Sequence, residues 1–290
     1  MRRRLRQYPP LVSLKRYVWR TVVSRTYDPS KGVTSLDVLR SFPLFSPFSA
    51  GRYKDKAALT IQTINQTIPL LSSLSSSFGA PRLPVKAITT FPKSPEDARA
   101  VVELKRCLDM HGSDKANIHN YHFLYGPILK DRGGVKRVLE IGLGTDNTDV
   151  VSNMGHQGKP GASLRAFREF LQVADIYGAD IDRRILFKED RITTFFVDQT
   201  DVDSFGALAK AVPGDMDLVI DDGLHSPNAN IASLSFALTK IKVGGWAVVE
   251  DINPDAIPLW EVVSALLPEK YERHLLQAEA GVVFAVQKLA

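Results

Sequence analysis

The chain has 290 residues, 44% hydrophobic and 24% charged, which is the composition of a folded globular protein and excludes wholesale disorder. A single cysteine, Cys107, excludes an intramolecular disulfide and a cysteine-built zinc site, so a reducing compartment, the cytoplasm, is the expected location. The formal net charge is +5, but residues 1–26 hold eight basic side chains and no acid. The rest of the chain is therefore mildly acidic, which argues against a nucleic-acid surface spread over the body.

In chain order, the basic arm 1–26 interleaves Arg2, Arg3, Arg4, Arg6, Lys15, Arg16, Arg20 and Arg25 with Tyr8, Tyr17 and Trp19. It reads as a solvated tail first. Peripheral contact with an anionic membrane at its inner face is the second reading, and an Arg-rich presequence the third. No stretch approaches the roughly 20 apolar residues of a spanning helix, and Lys15, Arg16 and Arg20 break any secretory signal. An extension follows over 27–93. Ten of the 17 prolines fall in the first hundred residues, so regular sheet is not expected there. Residues 56–68 suit a short helix, and the serine-rich 70–79 reads as loop. Ser94, Pro95, Glu96 and Asp97 then form a helix start, with an N-cap, a proline in the first turn and acids beside it, for a helix reaching about Met110.

From residue 135 strands and helices alternate. VKRVLEIG, ADIYGADID, ITTFFVD, MDLVIDDG and GGWAVVEDI read as strands. ASLRAFREFLQ, SFGALAKAV, ASLSFALTKI and the stretch 257–267 read as helices. YERHLLQAEAG and GVVFAVQKL close as an antiparallel hairpin. The expected fold is α/β, a mostly parallel Rossmann-like sheet over 94–290, with ligands at the carboxyl ends of its strands.

The first strand ends Glu140-Ile141-Gly142-Leu143-Gly144, where glycines let backbone N–H groups approach a ligand. A dinucleotide site wants a third glycine at 147 and an acid about 20 residues on. Asn147 and a next strand-end acid only at Asp180 count against NAD. The strand-and-glycine pattern resembles motif I of class I S-adenosylmethionine-dependent methyltransferases. That resemblance implies cofactor contacts from Glu140, Gly142 and Gly144, ribose contacts from Asp180, and Asp198 beside the adenine.

Asp221-Asp222-Gly223-Leu224-His225 and Glu250-Asp251 end the fourth and fifth expected strands. Strands that are neighbours lie about 4.8 Å apart, so their terminal carboxylates converge. Adjacent residues face opposite sides, so one acid of the first pair is expected to join the second pair. Converging carboxylates need a cation, and oxygen ligands favour Mg²⁺, Mn²⁺ or Ca²⁺. His225, three residues past Asp222, suits a general base near neutral pH.

From His111 onward the chain resembles the metal-dependent macrolide sugar O-methyltransferases of the mycinamicin and tylosin type and, more distantly, cephalosporin-hydroxylase-like proteins. The residues that carry it are HGSDK at 111–115, HNY at 119–121, LY at 124–125, VLEIGLG, PGASLRAF, IYGADID, VDQTD, IDDGLH and GGWAVVED. The resemblance implies magnesium on Asp222, Glu250 and Asp251, with His225 as base. It puts Ser113, Lys115, Tyr121 and Asp221 with the cofactor, and a carbohydrate hydroxyl as acceptor, in a glycan or a glycosylated metabolite. Residues 145–162 form a long loop after motif I, expected to reach over the cofactor or into the acceptor pocket. The alternatives are a hydroxylase-like or NAD-dependent enzyme on the same sheet, and a non-catalytic glycan-binding member of a glycan-assembly complex. RNA methylation lacks an Asn-Pro-Pro-aromatic motif. Homo-oligomerisation is left open by the sequence.

Overall fold

The computed structural model describes residues 53–80 and 82–290; the basic arm and the proline-rich segment before Tyr53 lie outside these described residues. By its contacts the chain divides into Met1–Ile68 and Pro69–Ala290, and the second unit carries the sheet.

Helix α1 spans Tyr53–Ser77, so the serine-rich stretch expected to be loop is helical. Its serines satisfy themselves without leaving the helix: Ser77 Oγ donates to the Ser73 carbonyl at 2.8 Å, and buried Ser72 donates to Glu261. The stop comes from Gly79 in the left-handed region (φ 86°), with the Ala80 N–H on the Ser75 carbonyl.

Strand β1, Val85–Ala87, follows Pro84 and contradicts the expectation of no sheet in this third of the chain. It is three residues long and lies at the sheet edge, where flanking prolines are tolerated. Helix α2, Pro95–His111, opens with a full capping box: Asp97 N–H donates to Ser94 Oγ at 3.1 Å while the Asp97 carboxylate receives the Ser94 N–H at 3.0 Å. Gly112 closes it in the left-handed region. Two short helices, α3 (Asp114–Asn117) and α4 (His122–Ile128), lead into β2, Arg137–Ile141.

The alternating part follows the sequence pattern closely. It runs α5 (Ala162–Phe170), β3 (Asp175–Asp180), a two-residue β4 (Lys188–Glu189), β5 (Ile192–Phe196), α6 (Val202–Ala211) and β6 (Met216–Asp221). Then come α7 (Pro227–Lys240), β7 (Ile241–Ile252), α8 (Ile257–Leu266), β8 (Tyr271–Gln277) and β9 (Val282–Lys288). The sheet order is β1-β8-β9-β7-β6-β2-β3-β5-β4. β5, β3, β2, β6 and β7 run parallel, β8 and β9 form the expected antiparallel hairpin, and β1 pairs parallel with β8 outside it.

Period-two alternation splits the core into two layers. Val138, Leu218, Ile220 and Val248 join α2, α4 and α5 through Leu104, Leu124 and Phe167. Leu139, Ile141, Val219 and Val249 join α6, α7 and α8 through Phe205, Leu234 and Trp260. The chain leaves β2 toward β3 on one side and returns through β6 on the other, so a crevice opens at the carboxyl ends of β2 and β6. Among the described residues no helix is long and apolar enough to cross a membrane.

Candidate active site

At that crevice the glycine loop is forced by packing. Gly142 has φ 94°, and a Cβ there would stand 1.9 Å from the Asp222 carbonyl oxygen. Backbone therefore meets backbone where β2 and β6 end, with the Asp222 N–H donating to the Ile141 carbonyl at 2.7 Å. The chain runs from 142 to 161 before α5 begins, and the helix start comes back to the glycines: the Gly161 N–H donates to the Leu143 carbonyl at 2.8 Å. Asn147, in place of a third glycine, uses its amide to bind Asp182 at 2.8 Å.

Beside the loop lies a cavity of about 610 Å³, within the range of small-ligand sites. Ile141, Ile181, Val197 and Leu224 give it apolar walls, and Gly142, Gly144, Asp180 and Asp198 border it. Asp180 accepts the Leu143 N–H at 2.7 Å and the Asp182 N–H at 2.7 Å, one on each oxygen, so each oxygen keeps an acceptor site. Burial pushes the Asp180 carboxyl up despite these bonds. Asp198 holds Thr200 through its backbone N–H at 2.9 Å and its hydroxyl at 2.7 Å. Apolar walls flanked by carboxylate acceptors suit a nucleoside.

The long loop after motif I also reaches the cavity, through Asp149 to Met154. Ser152 Oγ ties it to the Gly223 carbonyl at 2.6 Å, and Arg184 bridges Asp149 at 2.8 Å and Asp182 at 2.7 Å. Asp182 was not singled out in the sequence. Its position two residues past Asp180, at a strand end, is the signal that could have found it; bonds from Arg184 hold its carboxyl well below the usual range.

Across the cavity mouth Asp222, His225 and Asp251 each offer one ligand atom, all within 4.8 Å of one another. His225 Nε2 lies 3.8 Å from Asp222 Oδ1 and 3.8 Å from Asp251 Oδ2. His225 (φ 55°) and Asp251 (φ 54°) both occupy the left-handed region, which costs non-glycine residues about 1–3 kcal/mol and clusters at functional sites. At Asp251 it accompanies a register shift between β7 and β9 from Val249 to Ile252, which turns this carboxylate toward the cavity. Tyr121 donates to Asp251 Oδ1 at 2.5 Å, and His119 Nδ1 lies 3.1 Å from the same atom. Burial would raise the Asp251 carboxyl, but His119 and Tyr121 outweigh it and hold it well below the usual range. The Asp222 and Asp251 carboxylates fit a divalent cation, with the His225 imidazole beside them.

Glu250 sits differently. It is completely buried, and its two oxygens are taken by Tyr125, which donates to Oε1, and by Lys115 at Oε2. Lys115 Nζ also lies 3.1 Å from Glu140 Oε1 and 2.5 Å from Asp222 Oδ2. Glu140 accepts a further bond from Ser163 at 2.6 Å. Burial alone would lower the Lys115 ammonium, yet Asp222, Glu250 and Glu140 raise it well above its ordinary value, so it stays charged. The cation among the converging carboxylates is thus an ammonium of the chain itself, and the open trio contains His225 where Glu250 was expected.

Asp221 lies apart from the cavity. One residue before Asp222, it faces the α7 layer, accepting from Gln199 at 2.6 Å and Asn230 at 2.9 Å, and does not border the cavity. Burial raises its carboxyl to about 6. The alternation that puts Leu218 and Ile220 on one face puts Val219 and Asp221 on the other. Tyr121 lies away from the cavity, while Ser113, Lys115 and Glu140 line a narrow pocket beside it together with Gly142, Gly144 and Asp222. Ser113 caps α3, Lys115 and Glu140 belong to the buried cluster, and Tyr121 positions Asp251.

No family model matches the chain. It is 32% identical over 166 residues to an 8-demethyl-8-alpha-L-rhamnosyl tetracenomycin-C 2'-O-methyltransferase of Streptomyces olivaceus, covering 57% of this chain and 42% of that protein. It is 37% identical over 116 residues to a demethylmacrocin O-methyltransferase of Streptomyces fradiae, covering 40% of this chain and 27% of that protein. The chain thus spans less than half the length of these curated relatives. Among solved structures it matches the MycE methyltransferase of the mycinamycin biosynthetic pathway, in complex with Mg and SAH, with a TM-score of 0.52 and 25% identity over 64% of this chain and 55% of the other. The fold is that of a class I methyltransferase. The sequence relatives it matches are O-methyltransferases.

Proposed function

We propose that this chain is an S-adenosylmethionine- and Mg²⁺-dependent O-methyltransferase acting on a sugar hydroxyl of a glycosylated acceptor. The observation that carries the reading is the Asp222–His225–Asp251 group at the mouth of a nucleoside-sized cavity beside the glycine loop. The O-methyltransferase activities of the tetracenomycin and macrocin relatives support the same chemistry.

In this reading Gly142 and Gly144 present backbone to the cofactor, Asp180 accepts from its ribose, and Asp198 borders its base. Asp222 and Asp251 would hold the ion, and Tyr121 and His119 fix the Asp251 rotamer. Glu250 joins the ligand set only by releasing Lys115. When bound, the ion would acidify and orient an acceptor hydroxyl and the sulfonium would supply an activated methyl group. His225 takes the hydroxyl proton at Nε2 as general base. The loop 149–154 excludes water from the cavity and contacts the acceptor.

The test is transfer of labelled methyl from S-adenosylmethionine to a panel of deoxysugar glycosides. The reading expects a methyl ether on sugar oxygen, lost in EDTA and restored by Mg²⁺. Full turnover in chelator, or label on nitrogen or carbon, would refute it.

A further inference from the structure

The side chain with the least ordinary position is Lys115. It is 2% exposed on a four-residue helix, yet its ammonium meets carboxylates from three adjacent strands: Glu140 of β2, Asp222 at the end of β6 and Glu250 of β7. The remaining oxygens of Glu140 and Glu250 are occupied by Ser163 and Tyr125. Asp222 is shared. Its Oδ2 meets Lys115 while its Oδ1 faces His225.

We infer that Lys115 is a tethered cation that holds Glu140, Asp222 and Glu250 together without a divalent ion and tempers the affinity of the ion site through Asp222. The affinity half of this rests on the proposed reading that Asp222 and Asp251 hold the ion. Three carboxylates this close, Glu140 and Glu250 fully buried and Asp222 half-buried, repel strongly unless neutralised, and burial makes each uncompensated charge costly. An ammonium fixed by the chain does this in every folded molecule. It also stands beside the ion's ligand, where it repels a second cation and leaves Asp222 one free oxygen, so that Asp222 binds through one atom. Lys115 is therefore a positioning residue: it preforms the site while keeping the ion exchangeable.

Lys115→Met removes the charge and keeps most of the volume. Expected is a Mn²⁺ dissociation constant, read by electron paramagnetic resonance, roughly tenfold or more tighter than wild type, because a repelling cation is gone and carboxylate oxygens are freed. Its melting temperature should fall in EDTA and recover in Mn²⁺ by more than wild type gains from the same Mn²⁺. Lys115→Met combined with Glu250→Gln removes one acid as well. It should melt above Lys115→Met in EDTA, and it serves where the single variant does not fold.

Mn²⁺ binding by Lys115→Met equal to or weaker than wild type, with a melting loss that Mn²⁺ does not repair, would reduce Lys115 to a packing residue and overturn the inference. Absence of Mn²⁺ binding by wild type would strike down the ion reading and the affinity half with it. The tethered-cation half would then fall if the double variant melts no higher in EDTA than the single one.

Discussion

Two groups of acids stand within one strand spacing of each other and are built for opposite purposes. On the α2–α4 side, Glu140 and Glu250 are buried to the last atom around Lys115, with Tyr125 and Ser163 completing their bonds. At the cavity mouth, Asp222, His225 and Asp251 are half-buried or exposed, two of them in the left-handed region, with ligand atoms left facing one another. The difference shows that a strand-end carboxylate is structural or chemical according to whether its partners come from the chain. Asp222 belongs to both groups.

The comparison is broken most severely at His225. His225→Ala should lower methyl transfer by about 10²–10⁴-fold with little change in melting temperature; unchanged turnover would remove it from the chemistry. Glu250→Ala should act the other way, on folding. Removing one partner of a buried ion pair costs about 3–5 kcal/mol, read by urea denaturation, and a variant as stable as wild type would contradict the assignment of Glu250 to the buried cluster.

A smaller effect is expected at His122 on α4, in the layer that carries Tyr125. Among the described residues its buried Nδ1 has no hydrogen-bond partner, and burial, with Lys105 nearby, lowers its pKa to about 4. A histidine depressed in the folded state contributes stability above its unfolded value of 6.5, and that stability is lost as pH falls toward 4. His122→Gln should flatten the decline in stability between those values by about 3 kcal/mol. An unchanged pH profile would show that another group drives it. The smallest effect lies away from both groups: Ser94→Ala should cost about 1 kcal/mol through the capping box and leave methyl transfer unchanged.

Much of this was legible in the sequence because it rests on period and punctuation. The strands from Arg137 to Lys288 alternate in type with their helices, and Ser94, Pro95 and Asp97 announce α2 by chemistry that acts within one turn. The serines of α1 misled because their hydroxyls can bond either within a loop or back to the helix, as Ser77 does, and Ser72 instead finds its partner in Glu261, far along the chain. β1 was hidden because a three-residue edge strand has no period of its own and exists by pairing with β8.

At the site, spacing placed Asp222, His225 and Asp251 at one crevice, and strand alternation already implied that Asp221 and Asp222 part company. Lys115 was visible only as part of a motif. That its ammonium enters the carboxylate cluster depends on α3 packing over the ends of three strands, which no local pattern encodes. His119 and Tyr125 were missed as partners of Asp251 and Glu250 for the same reason.

The most direct test is anomalous diffraction at the manganese edge from crystals grown with S-adenosylhomocysteine and Mn²⁺. The account predicts one strong peak between the carboxylates of Asp222 and Asp251, within reach of His225, with the nucleoside in the cavity beside Gly142. A nucleoside bound elsewhere, or no manganese between those two carboxylates with the cavity filled, would contradict it.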